Sequence, residues 1–422
     1  MMVKVRAPTA SLEPLRARPF RLLFFGRGLS AVGDAIVPVA VTFAVLKHGN
    51  ATDLGIVLGA QWGSRVLFLV AGGVWADRLP RQLVMMAADV LRALVQAVIA
   101  VAFFTGSVRI WQLAVASALF GFASAFFNPA STGLVPSIVS AEKLQEANAL
   151  LGLMRGLTDV AGPTVSGLIV ATIGFGPVFA VDSASFIASF ACLAAMHLPR
   201  EVQRQEGRSV IGDALEGFRL VLERRWMVAG LCSDVVSNLA LAALFVLGPV
   251  VAKQHFNGAR DWGFVLTGGA VGGLIGSAIA LHYKPQRPLF VGYALGVTFV
   301  LQLLGLVPPL PLPVVIIGNG IVFAAIVILN TYWTTMEQQH VPAEALSRVD
   351  SLSWVASLVV FPIGLIVVGP IAAVIGVRST LVVASGLAAL AVVIALSVRD
   401  VRELRRIELA QPDELLLTAA EP

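Results

Sequence analysis

The stretch Gly72-Gly73-Val74-Trp75-Ala76-Asp77-Arg78-Leu79-Pro80-Arg81-Gln82 decides the reading of this chain. An apolar run of roughly twenty residues flanks it on each side, the length needed to cross a bilayer. Two glycines end the first run, where they let helices approach closely. Asp77, Arg78 and Arg81 then crowd into five positions, too polar for hydrocarbon. The stretch reads as a short charged loop at a membrane face, and its cations put that face in the cytoplasm. A plain solvated turn would explain the charges but not the order of Gly-Gly, Asp-Arg and a later Arg.

Composition agrees. The chain has 422 residues, 57% hydrophobic and 13% charged, whereas a soluble domain carries about 25% charged. A polytopic membrane protein in the lipid bilayer is expected. The net charge of +5 is no nucleic-acid signature, because the cations sit between apolar runs and not on one basic face. Cys192 and Cys232 both fall inside apolar runs, so neither a disulfide framework nor a metal cluster is expected. His48, His197, His255, His282 and His340 lie at span ends or in loops without metal-site spacing. Residues 1–19 are polar and basic and the next run is long enough to span, so no cleavable signal peptide is expected. No phosphate-binding Gly-x-x-x-x-Gly-Lys-Ser/Thr loop occurs, so no ATP site and no cofactor are expected.

Twelve apolar runs are long enough to span: 20–46, 54–75, 82–105, 109–132, 146–171, 176–197, 226–251, 261–283, 289–307, 311–334, 347–371 and 375–397. Pro308, Pro309, Pro311 and Pro313 separate the ninth from the tenth and fit a tight turn. This predicts an all-α membrane protein with twelve transmembrane helices. Two six-helix bundles, 20–197 and 226–397, flank a linker at 198–225, with tails at 1–19 and 398–422. A helical stretch near 211–225 would lie along the membrane surface. Segments on the side of the termini hold 21 of the 30 Lys and Arg residues and the opposite loops hold five, which predicts cytoplasmic N and C termini in the plasma membrane. An offset of 204 residues places Arg21 on Arg225, Gly26 on Gly230, Asp34 on Asn238 and Gly72 on Gly276. A parallel repeat of two pseudo-symmetric halves is the pattern of a rocking transporter with its site at their interface.

Gly72-Gly73-x-x-Ala76-Asp77-Arg78-x-x-Arg81 resembles the signature between the second and third helices of the major facilitator superfamily. Gly26-Arg27-x-x-Ser30-x-x-Gly33-Asp34 and Ala88-Asp89-x-x-Arg92 resemble the branch that contains macrolide efflux proteins and the enterobactin exporter. Gly152, Gly156, Gly162-Pro163 and Gly167 are similar to the Gly-Pro signature of antiporters, but differ in spacing and lack the final Gly pair. The resemblance implies a latch: Gly73, Asp77, Arg78 and Arg81, with Asp77 holding the start of helix eleven, near Arg348. A helix N-terminus carries about half a positive charge and favours such a carboxylate. Arg78 and Arg81 would orient it and meet anionic headgroups.

Ionisable groups within spans are costly and usually face a cavity or a partner. They are concentrated in the first half: Arg27, Asp34, Arg65, Asp89, Arg92, Arg155, Asp159 and Asp182. The second half holds Asp234 and then Glu337. At about 1.5 Å per residue, Asp34 and Asp159 lie roughly 20 Å deep, and Arg27, Arg65, Arg92 and Arg155 roughly 10–15 Å. A mixed charge network is expected there, with Arg155 and Asp159 on one helix face. Desolvation favours a neutral carboxyl and a nearby Arg favours the charged form, so helix movement can change proton affinity. Asp34 is the first candidate for proton coupling, then Asp159, then Asp234. A static ion-pair lattice holding helices one to five together is the plain structural alternative. Asp89 and Arg92 are expected to brace the helix 2–3 loop.

Candidate cavity linings are Gln61, Trp62, Phe126, Phe127, Asn128, Asp234, Asn238, Asn319, Asn330 and Trp354, each of which also suits ordinary helix packing. Gly268, Gly269, Gly272, Gly273 and Gly276 are spaced for close helix packing. The leading expectation is a monomeric secondary transporter that exports a bulky, partly apolar small-molecule substrate in exchange for protons, powered by the proton gradient. An importer on the same fold and a non-transporting sensor or scaffold are the alternatives. No nucleophile–base or metal constellation supports an enzyme.

Overall fold

The computed structural model describes residues 12–196 and 218–407, with backbone alone at 70–71, 73–78, 141, 343–345, 347–348 and 350–358. The helices of the first half are α1 Arg18–His48, α2 Ala51–Arg78, α3 Arg81–Phe104, α4 Ile110–Ile138, α5 Leu144–Ile173 and α6 Gly176–Ala194. Those of the second are α7 Arg225–His255, α8 Ala259–His282, α9 in two pieces (Pro288–Leu295 and Val297–Leu304), α10 Leu312–His340, α11 Ala343–Ile375 and α12 Val377–Ser397. A short α13, Arg399–Glu403, follows. Among the described residues, nine of these helices are long and apolar enough to cross a membrane alone. With α2, the broken α9 and α11 they make the twelve crossings. Most of the linker lies outside the described residues, and 218–222 is helical.

Local chemistry sets the breaks. Asn50 Oδ1 accepts from the backbone N–H of Thr52 and Asp53 at 2.8 and 3.2 Å, while Asp53 Oδ2 accepts from Asn50 N–H at 2.9 Å, a reciprocal cap that starts α2. Gly376, at φ 86°, turns the chain between α11 and α12. The charged stretch at 72–78 departs from the expected loop: α2 runs helical through Arg78, and only Leu79 and Pro80 separate it from α3. Polar side chains at a membrane face are solvated without leaving the helix, so Pro80, not the charges, ends α2.

The two halves repeat one pairing scheme. In the first, α1 packs on α5 and α6, α2 on α4, and α3 on α4 and α6. In the second, α7 packs on α11 and α12, α8 on α10, and α9 on α10 and α12. The closest seams need glycine. A Cβ on Gly72 would fall 2.2 Å from the Ala125 carbonyl oxygen, and one on Gly276 would fall 2.5 Å from that of Ala324.

Two apolar clusters near the face bearing the chain termini are each confined to one half. Phe20, Met85, Leu134 and Leu193 belong to the first, and Trp226, Met336, Val349 and Val401 to the second. Toward the opposite face the core is shared: Val39 and Phe43 of α1 join Leu247 of α7, Trp262 of α8 and Leu365 of α11. Between halves, α2 packs along α11 and α5 along α8. Among the described residues, the apolar core joins the halves at the far face and is parted between them at the face of the termini.

Gly272→Leu should separate α8 from α10, because its Cβ alone would lie 1.9 Å from the Gly320 carbonyl oxygen. Overpacking of this kind costs about 1–3 kcal/mol. A lowered melting temperature of the detergent-purified protein is expected. Gly386→Ala, with nothing within 4 Å of the added methyl group, should melt as the native protein does.

Candidate functional site

Arg92 organises the interior of the first bundle. It projects from α3, almost fully buried, with Nη2 2.5 Å from Asp89 Oδ1 and Nη1 3.9 Å from Asp34 Oδ2. Its guanidinium lies between the rings of Phe127 and Phe186, 4.2 and 4.3 Å from their centroids. Asp89 and Arg92 therefore turn inward, away from the α2–α3 turn they were expected to brace. The carboxylate and both rings nearest to this guanidinium lie inside the bundle.

Asp34 is less enclosed than Arg92. Its side chain is 42% exposed. Arg65 of α2 and Arg155 and Asp159 of α5 lie within Coulombic reach of it, and Arg27 lies within reach of Arg155. Arg155 Nε and Asp159 Oδ2 stand 3.8 Å apart on one face of α5, at 69% and 59% side-chain exposure. Arg65 also sits 5.3 Å from the Trp62 ring, which meets Phe361 of α11 edge-on at 5.4 Å across the halves. Asp182 is an additional member that received no separate role from the sequence. It is fully buried, accepts from Gln96 Nε2 at 2.6 Å, and lies in Coulombic range of Asp34 and Arg92. Gly33 is the signal for it, since a Cβ there would fall 2.0 Å from Asp182 Oδ1.

The second bundle holds a cavity of about 370 Å³ between α7, α9, α10 and α12. Asp234, Asn238 and Asn330 line it as candidates, joined by Tyr293 and Trp333. Trp333 is packed edge-on against Trp226 at 5.1 Å. Asn238 Nδ2 donates to the Asp234 backbone carbonyl at 2.9 Å, and Glu337 lies within Coulombic reach of Asp234.

Other candidates fall elsewhere. Asn319 is buried in the α8–α10 seam and donates to the Val265 carbonyl at 2.8 Å, so it ties the two helices together. Phe127 is taken up by Arg92. Phe126 packs on Phe122 at 4.8 Å, Gln61 faces a narrow gap inside the first bundle, and Asn128 is exposed. In the expected latch, Arg81 donates to the Gly133 carbonyl, clamping α3 to α4 in its own half. The side chains of Gly73, Asp77, Arg78, Arg348 and Trp354 lie outside the described residues. Among the described residues, no group of three or more His, Cys, Asp or Glu could hold a metal ion.

Comparison with known proteins follows this geometry. The multidrug efflux pump Tap of Mycolicibacterium fortuitum is 28% identical over 410 residues, spanning 92% of this chain and 97% of that protein. Macrolide efflux protein A of Streptococcus pyogenes is 21% identical over 91% of this chain and 97% of its own length. The enterobactin exporter EntS of Escherichia coli O1:K1 / APEC is 27% identical over 82% and 83%. Among solved structures, a bacterial homologue of the human lysosomal transporter Spinster, inward-facing and unoccupied, superposes with a TM-score of 0.70 at 12% identity, covering 95% of this chain and 100% of that one. A family model described as Major Facilitator Superfamily matches residues 23–356, and this multi-pass membrane protein belongs to that superfamily.

Proposed function

We propose that this transporter exports bulky, partly apolar small molecules by proton antiport, with alternating access between the two halves. The observation that carries the reading is Asp34: a carboxylate 3.9 Å from Arg92, with one oxygen buried and part of its side chain exposed. It can exchange a proton with water on the open side and lose that access when the cleft closes. In general a carboxylate beside a guanidinium keeps its charge and one withdrawn into apolar surroundings takes up a proton, so movement of α1 against α3 would couple to protonation. The substrate would enter the same cleft and leave once the halves tilt. The names of the aligned relatives, all efflux or export proteins, support this direction of transport.

Asp159 is the second choice for coupling, because its partner Arg155 is more exposed. Asp234 is the third, in the half that lacks the arginine network. The end of α2 and the start of α11 sit at the parted face, where Asp77 would meet the α11 N-terminus only when the cleft shuts. The Lys and Arg excess assigns that face to the cytoplasm. The protein would act as a monomer in the plasma membrane, since one pair of bundles supplies both cleft walls.

In inverted membrane vesicles energised by respiration, adding a transported drug should alkalinise the lumen. Asp34→Asn should reduce that signal to background. Persistence of both drug flux and alkalinisation in the variant rejects Asp34 as the coupling group, and lumenal acidification indicates symport instead. Orientation is tested separately in a background with Cys192 and Cys232 replaced by Ser. Intact cells should label Ser107→Cys with a membrane-impermeant maleimide, whereas Lys284→Cys should react only after the membrane is inverted.

A further inference from the structure

The 204-residue offset between the halves is borne by matching contacts, Gly72 on the Ala125 carbonyl and Gly276 on that of Ala324. The same offset pairs interior positions. Asp89 falls on Tyr293, Arg92 on Gly296, Asp34 on Asn238 and Ser30 on Asp234. In the first bundle the space between α1, α3, α4 and α6 is filled, because the Arg92 guanidinium lies between two aromatic rings with Asp89 at 2.5 Å. In the second bundle the corresponding space is the 370 Å³ cavity. Gly296 brings no side chain to it. The acidic and aromatic surroundings of a cation are nevertheless present.

Asp234 is the carboxylate of that cavity. Among the described residues its side chain receives no hydrogen bond and forms no ion pair, and only its backbone carbonyl accepts, from Asn238. Among the described residues, no Lys, Arg or His lines the cavity. One turn before Asp234, a Cβ on Gly230 would lie 2.2 Å from the Trp333 ring and 2.7 Å from the Tyr293 hydroxyl, so both rings converge beside the carboxylate. Leu241, Phe299 and Ile326 supply apolar wall beyond them. A half-buried carboxylate without a counter-charge favours a cation beside it, and aromatic faces attract cations. The volume lies within the range of about 300–1,000 Å³ typical of small-molecule sites.

We propose that the second bundle binds an amphipathic organic cation whose charged centre takes the place that the Arg92 guanidinium holds in the first. Asp234 is the counter-ion, Tyr293 and Trp333 form the aromatic walls, and the apolar part of the ligand lies against Leu241, Phe299 and Ile326. The site names a ligand class for the proposed exporter and extends that reading. Binding is measured without flux, so the two fail separately.

The test titrates the full-length protein in lipid nanodiscs with tritiated tetraphenylphosphonium. Tetraphenylborate, of the same shape and opposite charge, serves as competitor. The native protein should bind the phosphonium saturably and the borate should not compete. Asp234→Asn should weaken affinity about tenfold or more. Gly296→Arg, which supplies a guanidinium from the chain itself, should abolish binding. Should that variant fail to elute as a folded monomer, Trp333→Leu replaces it, with a similar loss expected. Absence of saturable binding, equal competition by the borate, or native affinity in Asp234→Asn overturns the proposal. Binding that follows this pattern without drug-driven proton movement keeps the site and removes the antiport reading.

Discussion

Leu365 and Ile366 of α11 close over Gly55 and Gly59 of α2, and Pro163 of α5 closes over Gly263 of α8. These backbone-close crossings at the far face hold the two halves together, and the rest of the architecture follows from their position. Lipid offers no hydrophobic drive for helices to associate, so close approach through small residues carries the contact. The apolar core is shared there and divided near the termini.

Both bundles have glycine seams and differ in what fills their interiors. The first fills its interior with charge, Arg92 pinned by Asp89 and flanked by Phe127 and Phe186. Removing one partner from such a buried pair would leave an uncompensated charge, which costs about 3–5 kcal/mol. The second bundle seals its seams with glycine, Gly272 and Gly276 against α10, and leaves its interior open around Asp234. The repeat thus conserves backbone pairing while exchanging side-chain content.

Charge placement shows where sequence reading succeeds and where it stops. Arg155 and Asp159 are four residues apart on one helix, so their pairing could be read directly, and they stand 3.8 Å apart. Arg92 could be placed at a depth but not given a direction, since its partners lie on α1, α4 and α6 as well as α3. Asn319 shows the same limit: a polar residue inside a span suits a cavity or a seam, and only its bond to the Val265 carbonyl distinguishes them. The charged stretch after Gly73 reads as a loop because its polarity suggests a helix end, yet the α2 backbone continues to Arg78.

The sequence by itself determined that this chain crosses the membrane twelve times in two related halves, and which superfamily it belongs to. Both follow from local properties: hydrocarbon demands unbroken apolar runs, and the motif is contiguous. Only the tertiary structure decided which end of the halves stays joined, which interior is packed around Arg92 and which is hollow around Asp234. Those features arise from side chains that meet across helices distant in the chain, and no one-dimensional pattern specifies such meetings.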